Sequence, residues 1–177
     1  QELSEERVLL LMHDSSDWVV AFLGSLYAGV VPVAVNTLLT AEDYAFMLSN
    51  SRAQAALVSG ALLPTLQNAL DLVKNEVRQV VVSRPTAALA QGQWNMADVV
   101  QQNNPALPAN TLADEPAFWL YSSGSTGKPK LIITTGDALF HPGKPIIPML
   151  MRFEPTDLKY SPGPLYHNGP FWFSVNM

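Results

Sequence analysis

Apolar residues along this chain come in short solid runs rather than in strict alternation. RVLLLM (7–12), VVPVAVN (30–36), AALVSG (55–60) and VRQVVVS (77–83) have strand length and leave no polar side for water. Strands buried on both faces, as in a parallel sheet, read this way. Helical spacing fills the gaps between them. HDSSD offers Ser15 or Ser16 as the cap of a helix running to about Ala28, with Gly29 as its stop. Its stripe of Val19, Phe22, Leu23 and Leu26 is expected to face the core. Thr40 and Asp43 resemble a capping box with a shortened carboxylate, ahead of a helix ending near Asn50. ALLPTLQNALDLVKN (61–75) reads as a helix with Pro64 in its first turn. The expected fold class is therefore α/β, a parallel sheet sandwiched by helices.

One charge-free stretch, WVVAFLGSLYAGVVPVAV (18–35), approaches membrane-spanning length. Gly29 and Pro32 divide it, and the proline would break a helix there, so it reads as a buried helix and then a buried strand. Residues 84–116 are looser and proline-bearing, a surface connection with one short helix around Met96 to Gln102. PAFWLYSS returns to strand, with Trp119 expected in the strand core rather than as a ligand platform. KLIITT (130–135) is a strand again, and Gly136-Asp137 reads as a turn and helix start. Beyond Gly136 the chain is proline-rich and no element is assigned.

Composition narrows the function classes. At 48% hydrophobic and 14% charged, the 177 residues suit a soluble globular domain. A net charge of -5 argues against a nucleic-acid coat or a surface seeking anionic lipid. The absence of cysteine excludes a disulfide, a thiolate nucleophile and a cysteine-ligated metal, and fits a cytoplasmic setting. The chain opens on QELSEERV and stops inside FWFSVNM, which reads as a cut through a larger protein.

Between the last two strands stands YSSGSTGKPK (121–130). Phosphate binding needs converging backbone N–H groups, small residues that permit close approach, and positive charge. Gly124 and Gly127 meet the first two needs, Ser122, Ser123, Ser125 and Thr126 add hydroxyls, and Lys128 or Lys130 adds charge. The loop is not that of the P-loop NTPases: Ser122 stands where the first glycine is needed, and Pro129 follows the lysine where Ser or Thr should hold magnesium. A dinucleotide fingerprint is also missing. A plain Gly/Ser hairpin between two strands stays open on the residues alone.

Tyr121 through Lys130 closely resemble the phosphate signature of the acyl-adenylate-forming (AMP-binding) enzymes, which include acyl- and aryl-CoA ligases, luciferases and peptide-synthetase adenylation domains. The chain upstream, from RVLLLMHDSSDWVVAFLG to SGALLP, is similar to the opening of benzoate-CoA ligases, so the resemblance covers about residues 7–130. Beyond it, Leu131 replaces a usual glycine, and SPGPLYHNGPF (161–171) resembles ligases for aliphatic or steroid acids more than benzoate enzymes.

The resemblance implies part of a large N-terminal domain: an αβ subdomain over about 7–116, a phosphate-loop hairpin over 117–135 and the start of an acyl pocket over 136–177, without the C-terminal domain. It implies that ATP and a carboxylic acid, expected to be aromatic, form an acyl-adenylate, and that CoA then takes the acyl group. Ser122, Ser123, Gly124, Ser125, Thr126, Gly127 and Lys130 would bind the phosphates, with Lys128 ranked below Lys130. Thr126 would lie near the Mg2+ that comes with ATP, and Thr126, Lys130 and His167 are the catalytic candidates. Tyr166, His167, Asn168 and Gly169 would line the acyl pocket, whereas His13 and His141 are expected to be structural or exposed. The Thr-Gly-Asp at 135–137 lies too close to the loop to be the family's ribose-binding motif. Alternatives of the same chemistry are an adenylation domain loading a carrier protein and a luciferase-like enzyme. A truncated, non-catalytic binding module is the alternative of another class. The chain is expected to need the rest of its enzyme for turnover, and the resemblance leaves room for a homodimer.

Overall fold

The structure, a computed structural model, describes residues 6–102, 106–122, 129–137 and 163–166. In chain order it contains β1 (Arg7–Leu11), α1 (Ser16–Tyr27), β2 (Val31–Ala34), α2 (Ala41–Ser51) and β3 (Ala55–Ser59). A 3-10 turn (Gly60–Leu62) leads into α3 (Leu63–Leu72), followed by β4 (Gln79–Ser83), β5 (Gln93–Asn95) and α4 (Met96–Gln101). β6 (Pro116–Ser122) and β7 (Lys130–Thr135) close the described order. The strands form one sheet in the order β5-β4-β3-β1-β2-β6-β7. Neighbours are parallel except β6 and β7, which pair antiparallel as a hairpin at one edge.

Helices cover both faces. On one side, residues of α2 and α3, among them Tyr44, Leu48 and Leu66, pack with Leu9, Val33, Val58 and Trp119 of the sheet. On the other, Trp18, Ala21 and Phe22 of α1 and Met96 of α4 pack with Leu10, Ala34, Phe118 and Leu120. The solid apolar runs are thus strands whose alternate residues enter two different cores. α1 corrects the expected stripe. Phe22 is buried and Leu26 partly so, but Val19 and Leu23 are exposed, and Trp18, Ala21 and Ser25 complete the buried face. The helix is rotated toward the aromatic residues, whose larger area gains more from burial.

Local signals act as their chemistry suggests. Ser15, not Ser16, caps α1 by accepting the Trp18 N–H at 3.3 Å. The Thr40–Asp43 capping box forms in both directions, at 3.3 and 3.1 Å. Pro64 occupies the first turn of α3. Pro32 lies in an interior strand, where a missing N–H usually breaks a ladder. The Val31 N–H points to β1, reaching the Glu6 carbonyl, so position 32 faces the other neighbour, and pairing with β6 begins only at Val33. The gap in donors therefore falls ahead of that ladder.

Gly29 ends α1 with φ +69, and an added Cβ would stand 2.7 Å from the Ala109 Cβ. Gly29→Ala is expected to cost about 1–2 kcal/mol through left-handed backbone strain and this overlap, measured by urea unfolding. No helix among the described residues is long and apolar enough to cross a membrane.

Candidate active site

Ligands of open α/β sheets bind outside the carboxyl ends of the strands. Here β1, β2 and β6 bring their carboxyl ends side by side. The turn after β1 is tied on two sides. The His13 N–H donates to Ser59 Oγ at 2.9 Å, and Ser15 Oγ donates to the His13 carbonyl at 3.2 Å. The His13 side chain is exposed, as expected. After β2, the Tyr44 hydroxyl donates to the Asn36 carbonyl at 2.7 Å and accepts the Leu39 N–H at 3.2 Å. Burial is the main cause of that hydroxyl's raised pKa, with the Leu39 bond opposing it and Asp43 and Tyr166 adding to it.

In the β6–β7 hairpin Ser122 pairs directly with Lys130, so their side chains are cross-strand neighbours on one face. Strand alternation puts Ser122 on the face of Phe118 and Leu120, and Trp119 and Tyr121 on the other. Trp119 is buried beneath the Arg7 guanidinium, 5.1 Å from the ring centroid, which makes it a core residue as expected. The Tyr121 hydroxyl donates to Asn50 Oδ1 at 2.7 Å, joining the hairpin to α2. Burial pushes the Tyr121 hydroxyl up to about 12, against the pull of Arg7. In the unfolded chain it ionises near 10.0, so its stabilising contribution is complete below that pH and is lost as pH rises through the folded value. Unfolding free energy should thus fall between those two values by roughly 2 kcal/mol on this account. Tyr121→Phe should flatten the fall in urea titrations across that range.

The loop residues Ser123, Gly124, Ser125, Thr126, Gly127 and Lys128 lie outside the described residues, as do His141, His167, Asn168 and Gly169. Ser122 and Lys130 stand at the two ends of the loop, and a strand, not a helix, follows it. That hairpin separates it from the NTPase and dinucleotide loops, which open into helices. Tyr166 and its neighbour Leu165 pack against the α1-side cluster that contains Phe118 and Leu120. Burial first, then the nearby Asp14 carboxylate, raise the pKa of the Tyr166 hydroxyl. Gly136 and Asp137 begin a helix directly after Thr135 ends β7, as expected: their N–H groups bond the Glu115 and Ala113 carbonyls, and Thr135 Oγ1 donates to the Asp137 carboxylate. Among the described residues no group of three or more His, Cys, Asp or Glu side chains could hold a metal ion.

Two features escaped the sequence reading. Asp14, one residue ahead of the α1 cap, accepts the Leu165 N–H on both carboxylate oxygens, at 3.2 and 3.1 Å. A mostly apolar cleft of about 460 Å3, lined by Val20, Arg84, Met96 and Val100 among others, opens at the far end of the sheet from β6. Beside it, Ser83 donates to Asp17 Oδ2 at 2.6 Å and Arg84 pairs with the same oxygen at 3.3 Å. Asp17 and Arg84, which both line the cleft, are thus paired with each other, and the glycine- and hydroxyl-rich loop lies elsewhere, between β6 and β7, which makes that end the candidate site.

A mostly parallel α/β sheet ending in a hairpin around a glycine- and hydroxyl-rich loop matches the large domain of adenylate-forming enzymes. The chain belongs to the family of AMP-binding enzymes, which its residues 3–177 match. It is 34% identical over 163 residues to the benzoate–CoA ligase of Thauera aromatica, covering 92% of this chain and 30% of that protein. A crystal structure of a benzoate CoA ligase from Burkholderia xenovorans LB400 superposes with a TM-score of 0.64 at 43% identity, over 77% of this chain and 25% of that one. The fold extends further: a long-chain-fatty-acid-CoA ligase from Archaeoglobus fulgidus gives a TM-score of 0.81 at 20% identity, over 97% of this chain and 33% of the other. The chain thus spans about a third or less of the length of these relatives.

Proposed function

We propose that this chain supplies the phosphate loop and part of the acyl pocket of an enzyme that activates an aromatic, benzoate-like acid with ATP and passes the acyl group to CoA. The observation that carries this is the hairpin. Its loop has the signature of an adenylate-forming enzyme, and its end residues Ser122 and Lys130 pair across two strands. The aromatic choice rests on the benzoate ligases at 34% and 43% identity.

In the first step a carboxylate oxygen of the acid attacks the α-phosphorus of ATP, and the bond to the bridging oxygen breaks to release pyrophosphate. Negative charge then grows on the leaving group, and preorganised donors lower its energy most where charge develops. Thr126 and Lys130 hold that role, supported by the hydroxyls of Ser122, Ser123 and Ser125 and by the small Gly124 and Gly127. Lys128 adds charge at the loop's edge. Thr126 is the loop residue that would hold the Mg2+ bound to ATP, which would help neutralise the phosphate charge. Tyr166, His167, Asn168 and Gly169 form one wall of the acyl site. In the second step the CoA sulfur attacks the acyl carbon and AMP leaves.

Product analysis tests this reading. The enzyme carrying this chain, given benzoate, ATP, Mg2+ and CoA, should form benzoyl-CoA and AMP. An acyl-adenylate formed without any CoA thioester would point instead to loading of a carrier protein. The 177 residues alone, which match under a third of the benzoate ligases, should show no acid-dependent ATP–pyrophosphate exchange.

A further inference from the structure

We infer that Asp14 is a positioning residue of the acyl site, holding the Gly163–Tyr166 segment over the carboxyl end of the sheet. The inference rests on the reading of Tyr166 as part of the pocket wall, and deepens it. Leu165 and Tyr166 pack on the α1-side cluster through apolar contact, and such contact has no direction of its own. The directional element is the Leu165 N–H, shared between the two Asp14 oxygens at 3.2 and 3.1 Å, across 151 positions of chain. A charged acceptor makes this bond stronger than a neutral one.

Asp14 is equipped to act as an anchor because its own place is fixed from both sides. Ahead of it the His13 N–H is bound to Ser59 at the end of β3. Behind it Ser15 caps α1 and donates back to the His13 carbonyl. Asp14 contributes no cap to α1, since Ser15 fills that role, so its carboxylate is free for the distant segment. The proximity of Asp14 to the Tyr166 hydroxyl is consistent with this placement. Tyr166 belongs to this segment, so a shift of the segment moves the one proposed pocket residue that the structure describes. The phosphate loop hangs on a different support, the β6–β7 hairpin, and should not follow.

The test uses two substitutions. Asp14→Ala removes the acceptor, whereas Asp14→Asn keeps one oxygen in place. Amide hydrogen exchange at Leu165, followed in the enzyme that carries this chain, should quicken by roughly tenfold in Asp14→Ala, as expected for a lost charge-assisted bond. In Asp14→Asn, which keeps a neutral acceptor, it should quicken by only a few-fold, and both variants should melt within a few degrees of the original. In the enzyme that carries this chain, Asp14→Ala should raise KM for benzoate about tenfold while KM for ATP is unchanged, with Asp14→Asn restoring most of the loss. Unchanged Leu165 exchange in Asp14→Ala would overturn the anchor. Quickened exchange with an unchanged KM for benzoate would overturn its role in the acyl site. An original enzyme with no activity on aryl acids would sink the proposed function instead, and the exchange rate would still decide the anchor.

Discussion

Phe22→Ala is expected to lower the unfolding free energy by about 3–5 kcal/mol, which is a large part of a typical domain's margin. Phe22 is 1% exposed, stacked on Trp18 with ring centroids 5.0 Å apart and edge-on to Phe118 at 5.5 Å. Removing the ring takes away its own burial and both aromatic contacts, and opens a cavity between α1 and β6 that the sheet cannot collapse to fill. Leu23→Ala serves as the control. Leu23 is 47% exposed, so its loss should cost under about 1 kcal/mol, although helical periodicity treats the two positions alike. Equal costs in urea unfolding would show that α1 is rotated differently about its axis.

The second large effect concerns catalysis. Lys130→Ala and Thr126→Ala should each slow acid-dependent ATP–pyrophosphate exchange by about 10²–10³-fold, the scale of losing one preorganised donor to developing charge. Lys130 is exposed at the end of an edge strand, so its loss should leave the melting temperature nearly unchanged. Lys128→Ala should cost less than about tenfold, because a lysine at the loop's variable position acts mainly as diffuse charge. Equal losses at Lys128 and Lys130 would contradict the roles assigned to them. ATP binding unaltered by either Thr126→Ala or Lys130→Ala would favour a non-catalytic binding module.

Much of the fold is legible in the sequence because its determinants are local. Solid apolar runs mark β1 to β4, Ser15 and Thr40 mark helix starts, and Gly29 marks a stop that needs positive φ. What escaped depends on distant partners. The face α1 buries is set by Trp18 stacking on Phe22 and by Phe22 meeting Phe118, nearly a hundred residues on in a different element. β5 is only Gln93–Asn95, with Trp94 52% exposed, and exists through its backbone pairing with β4, which leaves no hydropathy pattern. The same division runs through the site. The phosphate loop is one contiguous stretch, so its chemistry can be read directly, and the strands on both sides of it are present in the fold. The Asp14–Leu165 bond joins residues 151 apart, and a carboxylate ahead of a helix cap gives no local sign of such a partner.

The central claim is that this chain's loop serves the adenylation of an aromatic acid. Acid-dependent ATP–pyrophosphate exchange by the enzyme that carries it tests this most directly, with benzoate and a long-chain fatty acid as competing substrates. The account predicts exchange with benzoate, little with the fatty acid, and loss of both on Thr126→Ala. Exchange with the fatty acid alone, or none with any carboxylic acid, would contradict it.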